Sequence, residues 1–241
     1  MSQPGNRCCP IVELRQYTLR AGRRDELIGL FEREFIESQE AVGARLIGQF
    51  RDLDDPDRFV WLRGFPEMDA RRRALEAFYT GPVWRAHREA ANPTMLDSDN
   101  VLLLRPSAPR GGFELGARDG PPFGAVLTAA IHYLDDVLTP PFADFFEGHM
   151  RPLIEADGAP VLASFVTEAA ANSFPALPVR DGERVFIWFS RFETAGAEAV
   201  FWRRHTGRSG WRDAAPEALS PAFARKPEWL RLAPTARSAL R

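Results

Sequence analysis

Glu13, Arg15 and Tyr17 stand at every second position of the stretch Ile11-Val-Glu-Leu-Arg-Gln-Tyr-Thr-Leu19. Alternate residues of an extended strand share a face, so the three form one polar row. Trp61 and Arg63 make a similar row in residues 58–65, and Gln49 and Arg51 another in 45–51. Arginines so placed clamp carboxylates through paired N–H donors. Arg15, Glu13, Arg63 and Trp188 are therefore candidate substrate contacts. The competing reading is a network of ion pairs that fixes the register between two parts of the protein.

Proton transfer points to the histidines, because imidazole alone titrates unperturbed near neutral pH. His149 and His205 occupy positions on two helical stretches that should face inward, and His132 matches Tyr17 in the spacing described below. His149, His205, Tyr17 and His132 are the candidate catalytic residues, acting as general acids or bases. An inward histidine can also ligate haem iron. The bland alternative places each histidine at the partly solvated margin of an apolar face.

The elements that would position these groups are written twice. Tyr17 and His132, Phe31 and Phe146, Phe35 and Met150, Gly43 and Gly158, and Phe50 and Phe165 are each 115 residues apart. Trp61 and Trp188, Phe65 and Phe192, and Trp84 and Trp211 are 127 apart, and Pro106 and Pro234 are 128 apart. In the first half, strand 11–19 precedes a helix over 25–41, whose Leu27, Leu30, Phe31 and Phe35 share a face and which Gly43 ends. Strands 45–51 and 58–65 flank the Asp-rich turn 52–57. Asp69 would cap a helix running to Phe78, Gly81-Pro82 breaks it, and residues 101–105 form a last strand.

The order is β-α-β-β-α-β, the ferredoxin-like motif. The expected division is a disordered arm over 1–10, a first ferredoxin-like unit over 11–106, a linker over 107–122, and a second, diverged unit over 123–241. The fold class is α+β, with two tandem ferredoxin-like units packed bare face to bare face. Strand parity then predicts that Val12 and Leu14 face the helices. Glu13, Arg15, Tyr17, Gln49, Arg51, Trp61, Arg63, Thr128, Ala130, His132, Ser164, Trp188 and Ser190 should face the other unit, as a polar centre. A second site is expected under the helices of the second unit. There Ala129 and Ala163 would leave room beside His149 and His205, and the long loop 168–183 would act as a lid.

The net charge of −2, with 31 basic residues interleaved among 33 acidic ones, excludes a nucleic-acid footprint. The only cysteines, Cys8 and Cys9, are adjacent; neighbours make poor disulfide partners, and no second pair exists to bind zinc. A reducing cytoplasm fits. Residues 1–10 lack the apolar core of a signal peptide, and no run approaches the roughly 18 apolar residues of a membrane helix. Arg71-Arg72-Arg73 and Arg203-Arg204 read as solvated helix charges, Trp84 and Trp211 as packing anchors. No glycine-rich phosphate loop, nucleophile elbow or His/Cys metal spacing occurs, which disfavours dedicated nucleotide, flavin and zinc sites.

Val12-Glu-Leu-Arg-x-Tyr17-x-Leu19-x-x-Gly22, Leu46-Ile-Gly48, Val60-Trp-Leu62, Ala70-Arg71, Trp84 and Asn100-Val-Leu-Leu before a proline resemble the NIPSNAP family over residues 11–106. The resemblance implies the dimeric α+β barrel fold. That wider fold houses cofactor-free monooxygenases, isomerases, dehydratases and haem enzymes, so it does not choose a reaction. In the second copy Glu13-x-Arg15-x-Tyr17 has become Thr128-x-Ala130-x-His132, so a site should not be duplicated. The expectation is a cytoplasmic small-molecule enzyme of a metabolic or biosynthetic pathway. It would use acid–base chemistry of the isomerase or cofactor-free monooxygenase type, in the second unit, with no nucleotide or metal cofactor. A non-catalytic binding or scaffolding protein and a haem-binding protein are the alternatives. The expected partners are a small-molecule substrate, neither nucleic acid nor membrane, and the two halves themselves as an intrachain pseudo-dimer, with a homodimer also open.

Overall fold

A computed structural model describes residues 8–109, 111–116, 118, 125–206 and 215–241. Trp211, most of the 1–10 arm and part of the 107–122 linker lie outside the described residues. The first half runs β1 (Ile11–Leu19), α1 (Arg24–Leu30), a π-helical segment (Phe31–Phe35), α2 (Ile36–Ala41), β2 (Arg45–Asp52), β3 (Arg58–Phe65), α3 (Met68–Tyr79), α4 (Pro82–Ala91), the short β4 (Met95–Asp97) and β5 (Val101–Pro106). The second half runs β6 (Val126–Leu134), α5 (Thr139–Phe145), a π-helical segment (Phe146–Met150), α6 (Arg151–Ala156), β7 (Val161–Thr167), β8 (Arg184–Phe192), α7 (Ala195–Thr206) and β9 (Glu228–Pro234). Asp69 is not the cap of α3 but lies in its first turn, behind Glu67. An acid there still complements the helix dipole. Gly43 and Gly158, 115 residues apart, end corresponding helices at φ 101° and 102°, a conformation that glycine adopts without strain.

Eight strands close a barrel in the order β1-β3-β2-β9-β6-β8-β7-β5, with β5 returning to β1. Two antiparallel seams join the halves. At one, Phe50 pairs with Pro234 and Asp52 with Leu232; at the other, Phe165 pairs with Pro106 and Thr167 with Leu104. The second seam is the first moved by 115 residues along one strand and 128 along the other.

An eight-stranded barrel is just narrow enough for side chains to fill it. Val12, Leu14, Val60 and Leu62 meet Leu127, Ala129, Ile187 and Phe189 inside, all buried. Each large apolar side chain so buried contributes about 1.5–3 kcal/mol relative to exposure. Phe113 packs there on Phe165 and Phe189, at ring separations of 5.1 and 5.0 Å.

This arrangement overturns the expected facing of the strands. Their residues sort into two sets as parity requires, but the sets lie on opposite sides from those expected. Val12 and Leu14 fill the barrel. Tyr17 and Trp61 lie against the first-half helices, and Ala130 and Trp188 against those of the second. Glu13 and Arg15 share the register of this outer row. The physical reason is enclosure: an interior lined by strands on all sides offers a charge no route to solvent, so the mainly apolar faces go inward, with Gln16 of β1 among them. The helix-covered faces have margins where polar heads find partners.

The N-terminal segment corrects a second expectation. Cys8 and Cys9 are joined in a disulfide. Cys9 has φ 68°, the one non-glycine residue with positive φ among those described, and this bend brings the neighbouring side chains together. The segment is also tied down. Cys8 N–H donates to Phe113 O at 2.8 Å, and Cys9 fills the space above Gly64, where an added Cβ would come within 2.4 Å of it. No helix among the described residues is long and apolar enough to cross a membrane.

Candidate active site

The outer row of β1 and β3 carries a buried ionic cluster. Glu13 stands opposite Arg63, Arg15 opposite Trp61, and Tyr17 opposite Phe59. Glu13 Oε2 accepts from Arg63 Nε at 2.8 Å and from Arg15 Nη1 at 2.9 Å. Its Oε1 accepts from Arg71 Nε at 2.6 Å. Arg71 comes from α3, where it shares the inward face with Ala74, Leu75 and Phe78. Arg63 Nη1 donates to Gln39 Oε1 at 2.8 Å, and Gln39 in turn donates to Phe35 O, which locks the amide. Arg15 Nε donates to Tyr17 Oη at 3.1 Å, and the Arg15 guanidinium lies 5.4 Å from the ring centres of both Tyr17 and Trp61. Glu13, Arg63 and Arg71 are 0% exposed and Arg15 1%.

Three guanidiniums thus surround one carboxylate, and three buried N–H groups among them have no partner: Arg63 Nη2, Arg71 Nη2 and Trp61 Nε1. Burial alone would push the Glu13 carboxyl up, but Arg63, Arg15 and Arg71 outweigh it and hold the group well below the usual carboxylate range. Burial raises the Tyr17 phenol, which is therefore protonated near neutral pH, with its oxygen fixed by Arg15. Arg71 shifts down, first through burial and then through the repulsion of Arg63 and Arg15. The cluster holds more positive charge than its carboxylate balances.

The ceiling of this cluster comes from the other half. Arg71 Nη1 donates to Asn172 Oδ1 at 2.9 Å and to Ser173 Oγ at 3.1 Å. Ser173 Oγ also donates to Met68 O at 3.0 Å, and Phe174 stacks on Tyr79 at 6.1 Å. The loop 168–183 was expected over the second half; residues 172–177 of it cover the first.

Residues 12–109 match the NIPSNAP family model. The match spans 98 of the 241 residues, and this stretch is called the NIPSNAP domain after it. No curated protein matches the sequence. Among solved structures, a provisionally assigned monooxygenase from Lactobacillus acidophilus superposes with a TM-score of 0.56 over 94% of each chain, at 13% identity. One from Fusobacterium nucleatum gives 0.57 over 94% of this chain and 93% of its own, at 8% identity. At these identities the likeness shows the fold, an α+β barrel closed by eight strands. A NIPSNAP domain protein from Burkholderia xenovorans matches 41% of this chain and 95% of its own, at 22% identity and a TM-score of 0.38.

Of the residues expected at a site, Glu13, Arg15, Tyr17 and Arg63 lie together in the NIPSNAP domain, and the others lie outside it. His132 is buried beside Phe142 and accepts from Trp188 Nε1 at 3.4 Å; burial pushes its imidazole down to about 4. His149 is exposed and stacks on Phe145 at 5.0 Å. His205 Nδ1 lies 3.4 Å from Asp157 Oδ2, with its ring on Phe201. None of these partners is shared. The room expected beneath these helices is not supplied by Ala129 and Ala163, which face the barrel, and Phe142, Phe146, Phe186 and Trp188 pack there instead. Arg71, expected as a solvated charge, is instead buried in the Glu13 cluster. Its spacing to Ala74, Leu75 and Phe78 was the signal that it points inward. Among the described residues no group of three His, Cys, Asp or Glu is placed to hold a metal ion.

Proposed function

We propose that the NIPSNAP domain binds a small organic anion at the Glu13 cluster and converts it by acid–base chemistry, without a nucleotide or metal cofactor. The observation that carries this reading is the charge: three buried guanidiniums against one carboxylate, with N–H groups of Arg63, Arg71 and Trp61 unpartnered. Uncompensated buried charge is costly, and a ligand carboxylate supplies both the missing charge and the missing acceptors.

The roles follow from the contacts. Arg63 and Arg71 orient the carboxylate. Glu13 stays ionised and anchors the guanidiniums. Arg15 stabilises negative charge developing on a substrate oxygen, and Tyr17 delivers a proton to it. Such a site suits stabilising the oxyanion of an enolate, the charge that develops in isomerisation and in oxygenation by dioxygen of an aromatic or polyketide-like substrate. The likeness of the whole fold to two provisionally assigned monooxygenases supports the second. Of the four residues expected to be catalytic, Tyr17 is the one this reading keeps. We further read the halves as tandem ferredoxin-like units, supported by the equivalent seams and by π segments 115 residues apart.

Native mass spectrometry of wild type and Arg63→Gln, purified from the source organism, tests the proposal. An organic acid bound to wild type and missing from Arg63→Gln is expected. Wild type that carries no anion, and whose melting midpoint mono- and dicarboxylates leave unmoved, overturns it.

A further inference from the structure

The strand positions that hold charges in the NIPSNAP domain hold none in the second half, while Arg71 of α3 corresponds to Glu198 of α7, buried and paired with Arg231 of β9. Glu13 opposite Arg63 corresponds to Thr128 opposite Ser190, Arg15 opposite Trp61 to Ala130 opposite Trp188, and Tyr17 opposite Phe59 to His132 opposite Phe186. What the second half has instead is the segment 168–183 between β7 and β8, where the first half joins β2 to β3 with residues 53–57 alone.

This segment serves the other half. Glu168 N–H donates to Leu103 O at 2.9 Å and Arg180 N–H to Val101 O at 2.9 Å, so both ends run along β5. Between them the chain folds on itself: Asn172 Nδ2 donates to Leu177 O, and Phe174 N–H to Asn172 Oδ1. From this turn Asn172 and Ser173 hold Arg71, Phe174 covers Tyr79, and Phe174 and Leu177 join the apolar cluster of the NIPSNAP domain.

Arg71 divides its guanidinium three ways. Nε is on Glu13, Nη1 is on the turn, and Nη2 is unpartnered. Glu13, Arg63 and Arg71 are wholly buried, so a ligand reaches them only if some part of the enclosure moves. The barrel wall is held by continuous ladders. The turn is held on α3 by three side-chain hydrogen bonds and by its apolar contacts.

We infer that the second half contributes a working part of the NIPSNAP-domain site. Residues 172–177 gate it, and Asn172 and Ser173 are positioning residues that hold Arg71 Nη1 while Nη2 takes the ligand. The inference rests on the proposed anion site for its occupant, an organic acid whose body lies under Phe174. The gate itself is testable without one. Tyr17 and Tyr79 are two of the chain's three tyrosines, and nitration by tetranitromethane followed by peptide mapping reads their exposure. Phe174→Ala and the double variant Asn172→Ala/Ser173→Ala should each nitrate at Tyr17 about tenfold faster than wild type, at unchanged near-ultraviolet circular dichroism. The double variant carries the test if Phe174→Ala fails to fold. Equal nitration rates in wild type and folded variants overturn the gate.

Stopped-flow tryptophan fluorescence with benzoate as the probe then separates the two ideas. Faster benzoate association and dissociation in the variants supports both. Faster nitration with no benzoate binding to any form upholds the gate and counts against the aromatic-acid occupant.

Discussion

Glu13 and Arg63 face each other across β1 and β3, with Arg63 Nε 2.8 Å from Glu13 Oε2 and both side chains wholly buried. The equivalent place across β6 and β8 is held by Thr128 opposite Ser190, whose hydroxyls have no partner. The same strand pairing therefore forms in this molecule without an ion pair. An ion pair across these two strands is not what closes the barrel; the second half places its buried pair elsewhere, Glu198 of α7 with Arg231 of β9, opposite Thr128. What sets the first half apart is its surplus of cations, three guanidiniums on one carboxylate, and ligand binding supplies a reason for it.

Removing the carboxylate should be severe. Glu13→Gln leaves Arg15, Arg63 and Arg71 buried with no counter-charge. Breaking a buried ionic contact from one side costs about 3–5 kcal/mol. Urea unfolding of the variant should show a loss of that size; a loss under about 1 kcal/mol would mean that the cluster is solvated and not as described.

Removing a surplus cation should be mild. Arg71→Met leaves Glu13 with two guanidinium partners and removes a cation that is pushed down first by burial and then by Arg63 and Arg15. The melting midpoint of the empty protein should equal or exceed that of wild type, while anion binding falls. This is the pattern of a site that trades stability for function. A drop of more than about 3 kcal/mol on Arg71→Met would mark the cluster as structural cement and undercut the proposed ligand.

Much of this was legible before the structure, and the failures have definite causes. Alternation of Glu13, Arg15 and Tyr17 with Val12 and Leu14 sorts the faces, but a single strand does not say which face a barrel encloses. Closure decides that, and closure depends on seams such as Phe50 with Pro234 that pair residues far apart in sequence. Arg71 is hidden in a run whose other members, Arg72 and Arg73, are at least partly exposed, so the run as a whole has the pattern of a solvated face. Asn172 and Ser173 gave no signal at all. A loop's target lies in tertiary space, and nothing in its own residues names the half it will cover.

Acid should weaken the fold in two stages. His132 is pushed down to about 4 from an ordinary 6.5 by burial, so between those values the unfolded chain binds a proton that the folded chain does not. Stability from this residue is full above pH 6.5 and falls as pH drops to about 4, by about 1.4 kcal/mol per unit and about 3 kcal/mol in all. Glu13 acts lower. Its folded value is held below the ordinary 4.5, so its contribution is lost only beneath that pH. His132→Gln keeps an acceptor for Trp188 Nε1 and should flatten the upper stage alone. A slope between pH 6.5 and 4.5 that survives the substitution would show that the proton is taken up elsewhere.

Tyr17→Phe divides an enzyme from a binding protein. The phenyl ring can keep the edge contacts that Tyr17 makes with Trp61 and Phe59, at 5.7 and 6.4 Å between ring centres. Only the hydroxyl that accepts from Arg15 is lost. Arg63, Arg71 and Trp61 retain their open donors, so the affinity for the bound acid should change by less than about tenfold. Proton delivery, in contrast, loses the hydroxyl bonded to Arg15, and general acid catalysis contributes about 10²–10⁴ in rate. With the natural acid identified by mass, its conversion should fall by that factor while its binding persists. If Tyr17→Phe turns over the acid as fast as wild type, Tyr17 is not the proton donor. If neither form converts it, the NIPSNAP domain carries its ligand unchanged, and the cluster is a receptor for an anion.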